Sequence, residues 1–389
     1  MGVKTLKSFF QENKFISILI LISLISSLRN LFIPLFGDET TYLNIAKNII
    51  ESGQYFHHEK PSTVTPSIPF LIALFYTQFE PTVGLVLSRL ANLGLVLTGI
   101  RHLYKFLKTL NLNSTVVSVI ILLTAVNNNF VLWSTKLYPE SILFCFFWIF
   151  IYHLSKEKPR MKDILILSAS FLILTLTRYV FAVLGLLLIL KLYPFIKESL
   201  RSKQHFNLFK LSAYLILLLL PVLLWFKYVY YIESTKDIGL SYFNRFKDSE
   251  PFYNIKAGLG LIKHAEVSNI NGIPAFISLF IPMTGLRSWI LSIILLISFI
   301  SGFVLQFKNK NSRILFFAVL LIMGGLVFAG TGFSRYWLFM LPAYILGFYY
   351  FFRKFIPENK TFILAGKIIA ILYVINELRL NFNIFNELL

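Results

Sequence analysis

The sequence predicts an all-α, polytopic membrane protein, and its composition and hydropathy are the first observations that lead to this fold class. The 389 residues are 57% hydrophobic and only 14% charged. Their mean hydropathy is +0.72. Soluble domains carry about 25% charged and about 45–50% apolar residues, so the composition excludes a soluble enzyme and a disordered regulator.

Apolar stretches along the chain are the third observation. About eleven of them are predicted to form transmembrane helices, because a span requires about 20 mostly apolar residues. These candidate spans are Phe15–Phe36, Thr82–Ile100, Ser114–Val126, Pro139–Leu154, Asp163–Thr177, Tyr179–Ile196, Leu208–Tyr231, Ser288–Phe307, Ile314–Thr331, Tyr336–Phe352 and Thr361–Asn376.

The basic residues indicate the orientation of the chain in the membrane. A net charge of +19 in a soluble protein would suggest nucleic acid as a partner. With the N-terminus in the cytoplasm, 21 of the 37 Lys and Arg residues fall in short inside segments, as topology signals do. We therefore predict a protein of the inner (plasma) membrane, with a cytoplasmic N-terminus, an outside C-terminus and no nucleic-acid partner.

The chain reads as a single membrane domain, residues 1–389, since neither a fixed-period repeat nor a low-complexity linker divides it. Two outside segments are long and polar, 37–66 and 233–272. Functional residues concentrate in such loops when a rigid scaffold holds them. The second segment mixes charges with aromatic residues, so it is either a lid or acceptor-binding loop or a plain solvated connection.

The first outside segment contains an amphipathic stretch. Apolar residues recur at helical spacing between Thr40 and Ser52, and Gly53 follows as a stop signal. We expect a helix that lies on the membrane surface there, and a second, partly embedded helix at 66–79. The recurring apolar residues are Tyr42, Ile45, Ala46, Ile49 and Ile50.

Two adjacent carboxylates, Asp38 and Glu39, open this stretch directly after the first span. One interpretation is structural, because Asp is a favoured N-cap and Glu in the first turn interacts well with the helix dipole. The other is chemical, because an interfacial carboxylate can deprotonate a hydroxyl or amine acceptor. The two roles are compatible.

These residues carry a resemblance to a known family. The pattern G-D-E-x-x-Y-x-x-x-A-x-x-I-x-x-x-G-x-Y from Gly37 to Tyr55, followed by H-E-K-P and a helix punctuated by prolines, resembles the first outside loop of the GT-C glycosyltransferases. The branch it resembles most is family 39, with protein O-mannosyltransferases and the lipid A aminoarabinose transferase. Later motifs follow in the same order: SRLAN with Arg89, YPE with Glu140, LTR with Arg178, and SRYWLFMLP with Arg335, Tyr336 and Pro342.

The resemblance implies a polyprenyl-phosphate-linked sugar donor, used at the outer face with inversion at the anomeric carbon. It implies that Asp38 is the catalytic base, with Glu39 as its helper, and that Lys60 contacts the lipid phosphate. Where those relatives continue with two prolines, this chain has Pro61 followed by Ser-Thr-Val-Thr-Pro. The surroundings of Lys60 therefore depart from the pattern.

The predicted positions of other polar residues suggest their roles. Arg178 and Arg335, each followed by a Tyr, lie at outer helix ends, where Arg either binds a phosphate or anchors the helix at the interface. Arg89 lies within a predicted span, so we expect it to pair with an acid across helices, with Glu140 as one partner. We expect these two to provide structural support, and Tyr336 to line the substrate site.

The adjacent His57 and His58 raise the possibility of a metal, but no further cluster with ligand spacing supports one. We therefore predict no metal or other cofactor, with a divalent metal as the minor alternative, and place His58 among the residues that bind sugar or phosphate. Neither nucleotide-binding nor hydrolase motifs occur in the sequence.

The function predicted from these observations is transfer of a sugar from a polyprenyl phosphate to a glycan, lipid or protein acceptor, within membrane lipid. One alternative is a transporter or flippase of lipid-linked saccharides, which would place polar residues through the depth of its spans. Another is a transferase of the O-antigen polymerase or ligase type, with its functional residues in a large later loop.

Overall fold

The computed structural model describes residues 14–76, 78–201, 205–235, 251–263, 271–281, 286–330 and 334–388. Helices dominate these segments. The helices of the first half are α1 (Lys14–Ser27), α2 (Asp38–Ser52), α3 (Ser67–Tyr76), α4 (Pro81–Lys108), α5 (Ser114–Ala125), α6 (Asn128–Thr135), α7 (Glu140–Ser155) and α8 (Met161–Thr177).

The second half continues the helical pattern. Its helices are α9 (Gly185–Arg201), α10 (His205–Thr235), α11 (Tyr253–Leu259), α12 (Trp289–Leu305), α13 (Lys310–Phe328), α14 (Ser334–Trp337), α15 (Leu341–Phe355) and α16 (Asn359–Leu388). Short 3₁₀ helices occupy Leu28–Leu31, Tyr179–Leu184, Ile273–Leu279 and Leu338–Met340. A two-residue antiparallel ladder pairs β1 (Phe56–His57) with β2 (Lys60–Pro61).

The fold is that of a multi-pass membrane protein. Among the described residues, six helical segments are long and apolar enough to cross a membrane, and α5 with α6, bent by 62° at their junction, would form a seventh. All eleven stretches predicted to span overlap helices, which confirms the fold class. The number of crossings stays a prediction, since α7 and α12 are shorter apolar helices.

The first outside segment packs on the helical bundle. Helix α2 begins two residues before the predicted start and ends at Ser52, with Gly53 in the left-handed conformation as its C-cap. Its residues Tyr42 and Ala46 join a buried cluster with Ile68 and Ile72 of α3. The apolar face of α2 therefore packs largely against protein, although Ile50 is 37% exposed.

The second long outside segment, 233–272, is only partly described. Helix α10 continues to Thr235, and α11 occupies Tyr253–Leu259. Residues 236–250 and 264–270 lie outside the described residues. The choice between a lid and a plain connection for this segment stays open.

Close backbone contact joins α12 to α15. A Cβ atom on Gly302 would lie 1.9 Å from the carbonyl oxygen of Gly347, and one on Gly347 would lie 2.7 Å from the Phe299 ring. Small residues at helix crossings let membrane helices approach each other, and packing is then the main force that holds them together.

We expect Gly302→Ala to destabilise the protein by about 1–3 kcal/mol, because the new methyl group has no room at this crossing. The measurement is thermal unfolding of the detergent-solubilised chain, followed by circular dichroism. Gly324→Ala in α13 is the matched control, because a Cβ there meets no atom within 4 Å. The control is expected to be neutral or stabilising by about 0.5–1 kcal/mol, and equal destabilisation by both changes would contradict the packing argument.

Candidate functional site

Gly37 sets the direction in which the two loop carboxylates point. It is the N-cap of α2, with φ +60°, and a Cβ at this position would lie 2.9 Å from the Tyr138 hydroxyl. Both features favour glycine. The interpretation of Asp38 as the N-cap is wrong, because Asp38 is the first residue of the helix itself. The Asp38 side chain is 51% exposed, whereas Glu39 is fully buried.

Glu39 is held by three donors. Its Oε1 accepts hydrogen bonds from the Leu137 amide at 2.8 Å and from Arg89 Nη2 at 3.3 Å. Its Oε2 accepts from the Phe36 amide at 3.1 Å. Both oxygens of this buried carboxylate are therefore occupied, and together they join the first loop to the segment before α7.

Arg89 lies in α4 and is as buried as its partner. Its Nη1 donates to the carbonyls of Leu31 at 2.9 Å and Ile33 at 2.7 Å, at the end of the first span. The expectation that Arg89 pairs with Glu140 is wrong. The register of α4 brings Arg89 to the start of the first loop, whereas Glu140 begins α7 and faces Arg178.

Asp38 forms an ion pair with Arg335, with 2.9 Å between Oδ2 and Nη2. Helix α14 supplies Arg335, and aromatic rings surround its guanidinium group. The guanidinium carbon lies 4.9 Å from the ring centroid of Tyr138, 5.1 Å from that of Tyr336 and 5.4 Å from that of Trp133. Aromatic faces attract a cation in this way and hold the arginine beside the carboxylate.

A second arginine lies on the other side of Tyr336. The guanidinium carbon of Arg178 is 3.7 Å from the centroid of that ring, and its Nη2 donates to Glu140 Oε1 at 2.7 Å. Glu140 is buried in the first turn of α7, where the helix dipole favours a negative charge. Arg178 Nη1 and Glu140 Oε2 have no hydrogen-bond partner among the described residues.

The five residues Asp38, Arg335, Tyr336, Arg178 and Glu140 thus form one contact network. The network joins the first loop, the start of α7, the end of α8 and α14, which are far apart in sequence. It contains one half-exposed carboxylate, one buried carboxylate and two arginines. We call it the carboxylate–arginine site.

Two tyrosines next to this site are neutral at physiological pH. Burial, and secondarily the negative charge of Asp38, raises the pKa of Tyr138 to about 12, and the same two causes raise the pKa of Tyr42 further above its ordinary value. The Tyr138 hydroxyl donates to the Phe36 carbonyl at 2.8 Å. The Tyr138 phenol therefore acts as a hydrogen-bond donor, and Asp38 is the more exposed of the two carboxylates of the site.

Sequence reasoning missed Lys136, which lies between α6 and α7. Its Nζ is 5.0 Å from the ring centroid of Trp133 and 5.6 Å from that of Phe36. Burial lowers the pKa of Lys136, and the nearby positive charges of Arg89 and Arg335 lower it further, against the effect of Glu39. The only signal in the sequence was its place just before the YPE motif.

Lys60 and His58 lie on the β1–β2 hairpin and are exposed. The hairpin is attached to α2, because Asn48 Nδ2 donates to the carbonyls of Phe56 and His58, at 2.9 and 3.1 Å. In the described part of the chain, neither side chain contacts the carboxylate–arginine site. Burial, and then the neighbouring His58, lowers the pKa of His57, and no group of three or more metal-ligating residues occurs in the described segments.

Residues 62–65 follow Pro61, where the related motif has a second proline, and aromatic side chains hold them in place. Tyr55 Oη donates to the Val64 carbonyl at 2.9 Å, and Tyr179 Oη donates to the Thr63 carbonyl at 3.2 Å. Trp225 of α10 donates in turn to Tyr179 Oη at 2.9 Å. These hydrogen bonds fix the path of the chain after Pro61 without a second proline at position 62.

Comparison with known proteins establishes the class of fold. No protein-family model matches the sequence, and no curated protein matches it. The chain does share its fold with a multi-pass membrane protein of known structure.

Solved structures with this fold include ArnT from Cupriavidus metallidurans bound to undecaprenyl phosphate, with a TM-score of 0.55 and 14% sequence identity over 87% of this chain. The apo state of the same protein gives a TM-score of 0.53 and 13% identity over 88% of this chain. This chain spans 60% of the length of those structures.

We expect Arg89→Met to destabilise the protein by about 3–5 kcal/mol, because it leaves the Glu39 carboxylate buried without a counter-charge. Thermal unfolding in detergent measures the loss. The control is Arg101→Met, since Arg101 lies on the same helix but is exposed. Adding Glu39→Gln to Arg89→Met should restore part of the stability, because no member of the ion pair then remains as a buried charge. A double variant that is no more stable than Arg89→Met would contradict this explanation.

Proposed function

We propose that this chain is a glycosyltransferase that moves a sugar from a polyprenyl-phosphate carrier to an acceptor at the outer face of the cytoplasmic membrane. The observation that carries the proposal is the half-exposed Asp38 carboxylate in contact with Arg335, with Arg178 on the other face of Tyr336. A base and two phosphate-binding cations are what this reaction needs in one place. The fold shared with ArnT, solved with undecaprenyl phosphate bound, supports the same donor class.

Asp38 is proposed as the general base. The acceptor oxygen or nitrogen attacks the anomeric carbon, the bond from that carbon to the phosphate oxygen breaks, and its electron pair leaves with the lipid phosphate. Asp38 takes the acceptor proton as attack proceeds. A single displacement of this kind inverts the configuration at the anomeric carbon.

Arg335 and Arg178 are proposed to bind the lipid phosphate, because the planar guanidinium group presents paired donors to phosphate oxygens. Arg178 Nη1 is a buried N–H donor with no partner among the described residues, so a bound phosphate would satisfy it. The negative charge that develops on the departing phosphate is stabilised by donors that are already in position. Glu140 positions Arg178 rather than contacting the sugar.

Binding of the lipid-linked sugar donor is proposed to have a second effect, which acts through the Asp38–Arg335 ion pair. A phosphate that binds Arg335 competes with the Asp38 carboxylate for the same guanidinium group. When Arg335 turns to the phosphate, Asp38 Oδ2 loses its partner and is free to accept a proton. Binding of the donor would thereby activate the base.

The remaining predicted residues are assigned as follows. Glu39 and Arg89 hold the first loop in place, since both are buried and Glu39 has no free oxygen, so we propose a supporting role for Glu39 rather than that of a second base. Tyr336 holds the two arginines apart at a fixed distance. Lys60 and His58, exposed on the hairpin, are proposed to contact the donor phosphate or sugar once it is bound.

The rival functions fit the structure less well. A transporter of lipid-linked saccharides has no need of a carboxylate next to its phosphate-binding cations. A transferase of the O-antigen polymerase or ligase type would concentrate its functional residues in a large later loop. Here Asp38 belongs to the first loop, and the other residues of its site come from three further parts of the chain.

We expect Asp38→Asn to lower the rate of sugar transfer by about 10²–10⁴-fold, the usual contribution of a general base. The measurement is release of undecaprenyl phosphate from a panel of radiolabelled undecaprenyl-phosphate sugars, in membrane vesicles from cells that express the chain. Glu51→Gln is the matched control, since Glu51 is an exposed carboxylate on the same helix. Normal turnover by Asp38→Asn would refute the role of Asp38.

We expect Arg335→Ala and Arg178→Ala each to weaken binding of undecaprenyl phosphate by about 10- to 100-fold, the value of a charge-assisted hydrogen bond. Lys at either position should recover only part of the affinity, because it lacks the paired donors. The measurement is equilibrium binding of fluorescent undecaprenyl phosphate to the purified chain in detergent.

The control for this experiment is Arg379→Ala, since Arg379 is exposed near the end of α16 that lies beside the first span. Unchanged affinity in both arginine variants, or an equal loss in the control, would contradict a specific phosphate site.

A further inference from the structure

A cavity of about 740 Å³ lies at the end of the bundle opposite the carboxylate–arginine site. Helix α7 runs from Glu140 in that site to Ser155, and its 16 residues correspond to about 24 Å. Helix α8 returns from Met161 to Thr177, just before Arg178. The cavity begins at Leu154, at the far end of α7, and its other walls are α9 and α13. It is therefore separate from the proposed catalytic site.

The cavity has apolar walls and a basic rim. Leu187, Leu190, Ile314 and Phe317 contribute to the walls, and Leu190 is 69% exposed. Four cations, Lys158, Lys191, Lys310 and Arg313, face two acids, Glu157 and Glu198, around the same cavity. The lining thus carries an excess of positive charge next to an exposed apolar surface.

Local contacts hold part of this basic rim in place. Lys191 Nζ donates to the Lys156 carbonyl, while the Lys156 side chain itself is paired with Asp163 at 2.5 Å. Asp163 is therefore paired with Lys156, and its charge also acts on Lys191 from outside the lining. Lys310 and Arg313 are three residues apart in the first turn of α13, so they lie on one face, at the positive end of the helix dipole.

We propose that this cavity binds an anionic phospholipid of the leaflet that covers this end, which the predicted topology makes the cytoplasmic one. The phosphate of the headgroup contacts Lys191, Lys310 and Arg313, and an acyl chain lies along Leu187, Leu190 and Phe317. Basic pockets between transmembrane helices on the cytoplasmic side bind anionic headgroups by this combination of charge and apolar contact. A soluble phosphate satisfies the cations alone and leaves the apolar walls uncovered.

The test uses the full-length chain reconstituted in vesicles of phosphatidylcholine with spin-labelled phosphatidylglycerol or spin-labelled phosphatidylcholine. Electron paramagnetic resonance measures the relative association of the two labelled lipids with the protein. We expect a preference for phosphatidylglycerol, and a loss of about fivefold in that preference for each rim cation removed, in Lys310→Gln and in Arg313→Gln. Both side chains are exposed, so these changes leave the fold intact, which thermal unfolding verifies.

A control variant and a competition experiment test whether the preference comes from a lipid bound in this cavity. Lys354→Gln with Lys360→Gln removes two exposed cations that do not line the cavity, from the same end of the bundle, and should leave the preference unchanged. Added glycerol 3-phosphate should not displace the labelled lipid, since it lacks acyl chains. An equal loss in this control, displacement by glycerol 3-phosphate, or no preference for phosphatidylglycerol in the unmodified chain would each overturn the proposal.

Discussion

The buried ion pair between Glu39 and Arg89 is the interaction on which the proposed site depends. Two charges taken out of water are tolerated only when hydrogen bonds satisfy the rest of their polar atoms. Here the Leu31 and Ile33 carbonyls accept from Arg89, and the Phe36 and Leu137 amides donate to Glu39. Arg89 Nε is the polar atom of the pair that has no partner among the described residues. One charge pair thereby attaches the first loop both to α4 and to the segment before α7.

This attachment explains how two adjacent carboxylates come to have different environments. Successive residues of a helix point about 100° apart, so when Glu39 points into the protein Asp38 points toward its edge. The ion pair of Glu39 fixes the rotation of α2, and that rotation presents Asp38 to Arg335. The inner carboxylate is thus the reason why the outer one is in position.

The helical bundle separates two polar regions by the length of its helices. At one end, carboxylates and arginines form a network of defined partners, typical of a site that carries out chemistry. At the other end, cations rim a cavity with apolar walls, typical of a surface that binds lipid. The helices α7 and α8 reach both ends, so each end of the bundle presents a different set of charged residues.

The sequence by itself determined the class of fold and the extent of the helix in the first loop. Apolar stretches of sufficient length become helices because lipid cannot satisfy free backbone groups, and the pattern from Gly37 to Tyr55 predicted α2 to within two residues. Both inferences rest on local periodicity, which a single chain displays directly.

Only the tertiary structure decided which charges are partners. Arg89 was expected to face Glu140 and instead pairs with Glu39, Arg178 takes Glu140, and Lys136 and Tyr138 join the site with hardly a sequence signal. Arg335 meets Asp38 from 297 positions away. Such pairings depend on the rotation and crossing of packed helices, and these are set by contacts such as that of Gly302 with Gly347, which no periodicity in the sequence encodes.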